Sequence, residues 1–224
     1  MEELNPKIPR TEVKRQLGYR EETVSNPKIE DLITEAIADA REIIKPRGNY
    51  LRLEEITIAD DRINLGTQDL TFQSQDIAEL LANQEQVVLL AVTLGSKLEE
   101  EVEALFAADE FTKATILDAV GSIAVEEAAN ELQEKIATEA KELGLPSLTM
   151  RYSPGYGDLG LEIQEELLSL LEGQKLGVET NESFLLIPQK SITALIGLGE
   201  EESTAQPKCD FDCKNCDYDS CIYQ

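Results

Sequence analysis

The chain is 224 residues long, with 42% hydrophobic and 29% charged residues, enough apolar material for one ordinary domain with a real core and a small appendage. Acidic residues number 45 against 20 basic ones, a formal charge of −25, and a field of that sign excludes nucleic acid and anionic membranes as partners. Histidine is absent, which removes Ser-His and Cys-His nucleophile pairs, His-ligated zinc and the commonest general base, and with them most hydrolase chemistry.

The start, MEELNPKIPR, lacks the basic-then-apolar pattern of a signal peptide, and no apolar run is long enough to cross a bilayer, so the expected location is the cytoplasm. The acidic excess reads as a solubility device or as a docking surface for a basic patch on a partner. Residues 1–25 read as an N-terminal arm whose short helix, Thr11 to Leu17, packs on the body. Its end, Leu17-Gly18-Tyr19-Arg20, either brings a Tyr and an Arg to a ligand or anchors the arm. Asn26-Pro27 opens a helix with apolar residues at the 3.6-residue period from Ile29 to Ile44, and Lys45-Pro46-Arg47-Gly48 stops it.

From Asn49 to Phe72 the period changes to short alternating runs split by Asp60-Asp61 and Gly66, the pattern of an antiparallel meander or hairpins. Ser74 caps a brief helix through Leu81. The run from Gln86 to Leu94 is almost continuously apolar, as a strand buried on both faces would be. Gly95-Ser96 follows, and Ser96 with Glu99 predicts a capping box for a helix to Ala107. Thr112 to Leu143 is the longest predicted helix, with a stripe of small residues (Ala119, Gly121, Ser122, Ala124, Ala128, Ala129) that lets another backbone or a ligand come close. Glu126 lies beside that stripe, and its plain reading is a solvated glutamate next to Glu127.

A strand-like run, Ser147 to Met150, leads into Arg151-Tyr152-Ser153-Pro154-Gly155-Tyr156-Gly157-Asp158. Arg151 offers a planar fork suited to a carboxylate, Tyr156 a flat face for a ring or a sulfonium, and Gly155 and Gly157 leave backbone groups open to a ligand. A small zwitterion with an aromatic end would fit such a loop; the other reading is a type II turn whose tyrosines plug the core. Leu161 to Glu172 then reads as an amphipathic helix stopped by Gly173, followed by strands near Phe184–Ile187 and Ser191–Gly197, with Glu182 and Ser183 at a strand start. Together these elements predict an α+β fold, a mixed or antiparallel sheet flanked by helices.

Arg151, Ser153, Pro154, Gly155 and Tyr156, followed by Gly177-Val178, Glu182-Ser183-Phe184, Pro188 and Ser191-Ile192, resemble the activation (reactivation) domain of cobalamin-dependent methionine synthase. The likeness is dense from about Gly95 to Gly197 and loose before that. It implies that the loop binds S-adenosylmethionine, with Arg151, Tyr152, Ser153, Pro154, Gly155, Tyr156, Glu126 and Glu182 as contacts, and that cobalamin sits on a partner, a methionine synthase or another corrinoid protein. The chain lacks the catalytic, folate and homocysteine modules, so the resemblance implies a reactivation subunit that is not catalytic alone. The sequence departs from the family in two places. Ala194 to Gly199 replaces an aromatic segment, and an acid expected in the arm is not evident near Gly18.

Residues 1–204 form the predicted domain, and 205–224 a tail with Cys209, Cys213, Cys216 and Cys221 in the spacing C-x3-C-x2-C-x4-C. So few residues cannot build a core, and four thiolates without histidine fit an iron–sulfur cluster or a zinc ion, or else the tail carries no metal. A cluster would let the chain deliver the electron that reactivation needs, a job done by a separate flavoprotein electron donor in the resembled enzyme. Two other functions remain open at this point: a non-enzymatic adaptor with a zinc-stapled tail, and an iron–sulfur electron carrier for a corrinoid protein.

Overall fold

A computed structural model describes residues 1–20, 26–66 and 70–200; the four cysteines and the proposed tail lie outside them. The centre is β6 (Gln86–Thr93), in a five-stranded antiparallel sheet of order β1-β2-β6-β10-β7 with β1 (Glu2–Glu3), β2 (Arg47–Leu53), β7 (Ser147–Leu148) and β10 (Ser191–Gly199). Its continuous apolar sequence is explained by two cores, one on each face of the sheet. Val88, Leu90 and Val92 point into the first, and Val87, Leu89 and Ala91 into the second. Each such side chain removed from water contributes roughly 1.5–3 kcal/mol, so no position along β6 tolerates a charge.

The first core is built on α5 (Phe111–Glu142), a helix of 32 residues that buries Val120, Ala124, Ala128, Leu132 and Ile136. Packed with it are α1 (Arg10–Gln16), α2 (Pro27–Ile43) and α4 (Lys97–Ala107). Asn26 caps α2 as expected, its Oδ1 accepting from the Lys28 N–H at 3.0 Å. The opposite face carries α3 (Gln75–Leu81), α6 (Gln164–Leu170), α7 (Gly173–Leu176) and a three-stranded meander of β3 (Ile56–Ala59), β4 (Arg62–Leu65) and β5 (Leu70–Gln73). A last pair, β8 (Glu179–Thr180) and β9 (Leu186–Ile187), precedes β10. The architecture is the expected α+β one, with every strand pair antiparallel.

Three local expectations are corrected. The run from Asn49 is not one meander: β2 starts at Arg47, inside the expected helix stop, and pairs with β6 over Arg47 to Leu53, leaving only β3–β5 as the meander. Ser96 makes no capping bond, because its backbone is already helical (φ −80°, ψ −21°) and its hydroxyl donates to Glu100 at 2.6 Å. Glu99 instead accepts the Lys190 N–H at 2.9 Å and ties α4 to the start of β10. Gly173 does not stop a helix but begins α7, since Glu172 takes the left-handed turn (φ +55°) and a Cβ at Gly173 would press on Leu168 and the Val178 carbonyl at 3.0 Å. The small-residue stripe of α5 does admit a close neighbour: at Gly121 a Cβ would stand 2.6 Å from Leu98 of α4 and 3.2 Å from Lys190.

Candidate functional site

The Arg151 segment continues the edge of the sheet beyond β7. Tyr152 exchanges both backbone hydrogen bonds with Leu195 of β10, at 2.9 and 2.8 Å. That pairing makes residues 149–152 locally strand-like, so successive side chains leave on opposite faces. Arg151 therefore turns to α5, and Tyr152 turns to α3.

On the α5 side, the Arg151 guanidinium donates to Gln133 Oε1 at 2.7 Å and to Glu126 Oε2 at 3.2 Å. Its side chain is 20% exposed, whereas that of Glu126 is 59% exposed. The pair borders a cleft of about 490 Å³. One wall is a helical face of α5, with Glu126, Asn130 and Gln133; the other is the loop, with Met150, Arg151, Tyr152, Ser153 and Tyr156. Ile192 of β10 adds apolar surface. Tyr156 is 67% exposed at the mouth, so its ring is available to a ligand rather than used as a core plug.

The bend itself has the arrangement of a type II turn: Pro154 at the second position, Gly155 at the third with φ +91°, and a Tyr156 N–H to Ser153 carbonyl bond of 3.2 Å. The Gly155 N–H is not open, as the sequence reading supposed, but donates to the Leu159 carbonyl at 2.8 Å. Pro154 is buried and Leu159 is 2% exposed, so the turn is fastened at both ends.

On the α3 side the loop makes three further bonds. Tyr152 Oη donates to Asp76 at 2.9 Å. Asp158 accepts the Ser74 hydroxyl at 2.5 Å and the Gln75 N–H at 2.6 Å. Burial opposes ionisation of Asp158, but the Ser74 hydroxyl and the N–H groups of Gln75, Asp76 and Asp158 itself outweigh it and hold the carboxyl below the usual range. Burial, the Asp76 bond and the Asp76 and Asp158 charges all push the Tyr152 hydroxyl well above the usual tyrosine range, so it stays a donor. Ser74 also caps α3 as expected, accepting the Ile77 N–H at 3.0 Å.

The fold resembles that of the MetH reactivation domain. A crystal structure of the MetH reactivation domain bound to AdoHcy matches with a TM-score of 0.63, covering 86% of this chain and 73% of that one at 14% identity. No family model matches the sequence, and no curated protein does. At that identity the likeness to the MetH reactivation domain shows the fold alone.

Of the residues expected at the site, Arg151, Tyr152, Ser153, Tyr156 and Glu126 line one cleft. Pro154 and Gly155 shape the turn behind it. Glu182 is exposed in the turn between β8 and β9. Among the described residues, the lining of the cleft does not include Glu182, Tyr19 or Arg20. Tyr19 instead has its ring under the Lys14 ammonium, 5.7 Å away, a contact within the arm itself. Cys209, Cys213, Cys216 and Cys221 lie outside the described residues. Sequence reasoning missed Asn130 and Gln133. They stand four and seven residues after Glu126, the spacing that places side chains on one helix face, so the helical period itself carried the signal.

Proposed function

We propose that this chain binds S-adenosylmethionine in the cleft between α5 and the Arg151 loop and serves as a reactivation subunit for the cobalamin of a methionine synthase or related corrinoid methyltransferase. The observation that carries this reading is the pairing of Arg151 with Glu126 at the cleft wall. A guanidinium beside a carboxylate matches the two charged ends of an α-amino acid, with the ligand carboxylate on Arg151 and its ammonium on Glu126. Exchange of partners is inexpensive, because an ion pair with one member this exposed is worth only about 0–1 kcal/mol. A cleft of about 490 Å³ also lies within the roughly 300–1,000 Å³ typical of small-molecule sites.

The remaining roles follow from position. Tyr156 at the mouth offers its ring face to a sulfonium or an adenine, and Ser153 supplies a polar contact beside Arg151. Cobalamin, held by the partner and reduced by an electron donor, would supply the nucleophile, while the sulfur of the methyl donor leaves as a neutral thioether. No side chain of this chain need move a proton; the contribution is to bind, orient and present the methyl group. The likeness in fold to a domain bound to AdoHcy, which is that thioether, supports the same reading.

Isothermal titration with S-adenosylmethionine tests it. Saturable binding is expected in the wild type, and Arg151→Ala should weaken it about 10–100-fold, the loss of a hydrogen-bonded charge of roughly 1.5–3 kcal/mol. Equal affinity in the two proteins would remove Arg151 from the site. The cysteine tail belongs to the same proposal as a site for an iron–sulfur cluster or zinc. Anaerobically prepared protein is expected to contain iron with visible charge-transfer absorbance, or zinc without it. Protein with neither metal would end that part of the proposal.

A further inference from the structure

The loop that presents Arg151 to the cleft is held from the opposite face of the sheet. We propose that Asp158 and Tyr152 form a two-point clamp on the N-terminus of α3 that fixes the shape of the 151–158 loop and thereby sets the affinity of the cleft for its ligand. They act as positioning residues, through their hydroxyl and carboxylate, and not as ligand contacts at those atoms. The affinity part of this inference rests on the ligand reading above; the clamp itself does not.

Several observations converge on it. The bonds from Asp158 to Ser74 and from Tyr152 to Asp76 span 84 and 76 residues of sequence, so they join segments that nothing local brings together. Their anchor is rigid: Ser74 is 2% exposed, and Ile77 and Leu81 are fully buried in the second core. What they hold is the exposed stretch Gly155, Tyr156, Gly157 and Asp158. The turn's own bonds, Tyr156 to Ser153, Gly155 to Leu159 and Leu159 to Tyr156, close the bend on itself, and the clamp ties the closed bend to α3. Bonds to an ionised carboxylate are among the stronger hydrogen bonds, which suits Asp158 to that tie.

Gly157 completes the argument. Its φ is +50°, and a Cβ built there would collide with the Asp76 carboxylate and the Tyr152 hydroxyl, the two atoms that bond to each other. The backbone therefore passes against the clamp with no room for a side chain. Through the strand alternation at residues 151 and 152, any shift of Tyr152 toward or away from α3 also moves Arg151 relative to Glu126 and Gln133.

The test uses the full chain with Asp158→Asn, Tyr152→Phe and the double variant. Tyr152→Phe keeps the ring that borders the cleft and removes only the bond to Asp76. Two readouts are taken: titration with S-adenosylmethionine, and hydrogen exchange of the Gly155 and Leu159 amides with the β6 amides as internal reference. Asp158→Asn should lose about tenfold or more in affinity and Tyr152→Phe a few-fold. The double variant should lose less than the product of the two, because both act through one loop. The loop amides should exchange faster by similar factors while β6 is unchanged. Wild-type affinity with unchanged loop exchange in the variants overturns the clamp. So does a parallel loss of protection in β6, which would make these bonds general stabilisers instead. If the wild type binds no S-adenosylmethionine, the ligand reading fails and the exchange data alone decide the clamp.

Discussion

Arg151 shows how a single residue depends on its neighbours for meaning. A surface arginine in an acidic protein pairs with whichever carboxylate is near, and its pair with the exposed Glu126 is of that weak kind. The bond to Gln133 at 2.7 Å differs, because it comes from a partly buried amide that fixes the guanidinium plane without neutralising it. On the proposed reading, that charge is what receives the ligand carboxylate. Buried polar pairs elsewhere follow a harsher rule. Thr193 of β10 donates to Gln164 of α6, and both residues are buried, at 2% and 5% exposure. Thr193→Val leaves the Gln164 carbonyl oxygen without its partner and should lower stability by about 1–3 kcal/mol. Thermal unfolding should register about 2–4 °C for each kcal/mol. The double variant Thr193→Val with Gln164→Leu should recover much of the loss, and an unchanged midpoint in the single variant would contradict the bond.

At the level of elements, α5 carries two tasks on different parts of its surface. Its apolar stripe closes the first core, with Leu132 fully buried against the β2 backbone, where a Cβ on Gly48 would lie 2.8 Å from it. Its Glu126–Asn130–Gln133 row forms a wall of the cleft. The helix period that builds the core thus also sets which polar residues can reach a ligand. The sheet plays a similar double part: β10 buries Leu195 in one core and Ile196 in the other while its backbone holds Tyr152 in register. Strand β2 reaches across as well. Asn49 donates to the Leu171 carbonyl and Arg47 to that of Leu176, satisfying the carbonyls at the ends of α6 and α7 that no intrahelical N–H can reach.

For the whole molecule the dominant quantity is the formal charge of −25. Self-repulsion of that size is relieved by salt, so stability comparisons belong at one ionic strength. Within that constraint, three groups define the limits of pH. Asp158 titrates below the ordinary value of 3.8 in the fold, so its contribution is present above that value and is lost as pH falls through the folded value. Tyr50 behaves in the opposite sense. Burial, its 2.6 Å bond to Glu139 and the charges of Glu139 and Glu2 push it from 10.0 to about 12. Its contribution is complete below 10.0 and disappears as pH rises to about 12, and Tyr152 adds to the same limb. Equilibrium unfolding followed against pH should therefore show declining stability above pH 10, with the decline reduced in Tyr50→Phe combined with Tyr152→Phe. An identical alkaline limb in the double variant would remove both tyrosines from that role. Among the described residues no helix is long and apolar enough to cross a membrane.

The amino-acid sequence alone determined the elements and the fold class, because hydrophobic period and cap residues act over a few residues. The stripe of α5, the double-faced β6, the Asn26-Pro27 helix start and the Arg151 turn were all legible in that way. Contacts that depend on distant segments were not. The recruitment of Glu99 by Lys190 and the passage of β2 into the central sheet both follow from neighbours more than one element away. The site divides along the same line. Arg151 and Tyr156 are candidates from residue type and Glu126 from the resemblance, and the structure brings the three to one cleft. That Gln133 orients the guanidinium, and that Asp158 and Tyr152 hold the loop through Ser74, Gln75 and Asp76, was decided only when the tertiary structure brought segments 76 and 84 residues apart into hydrogen-bond range. A hydrogen bond leaves no periodic trace in a sequence, and for that reason the tertiary structure had to supply it.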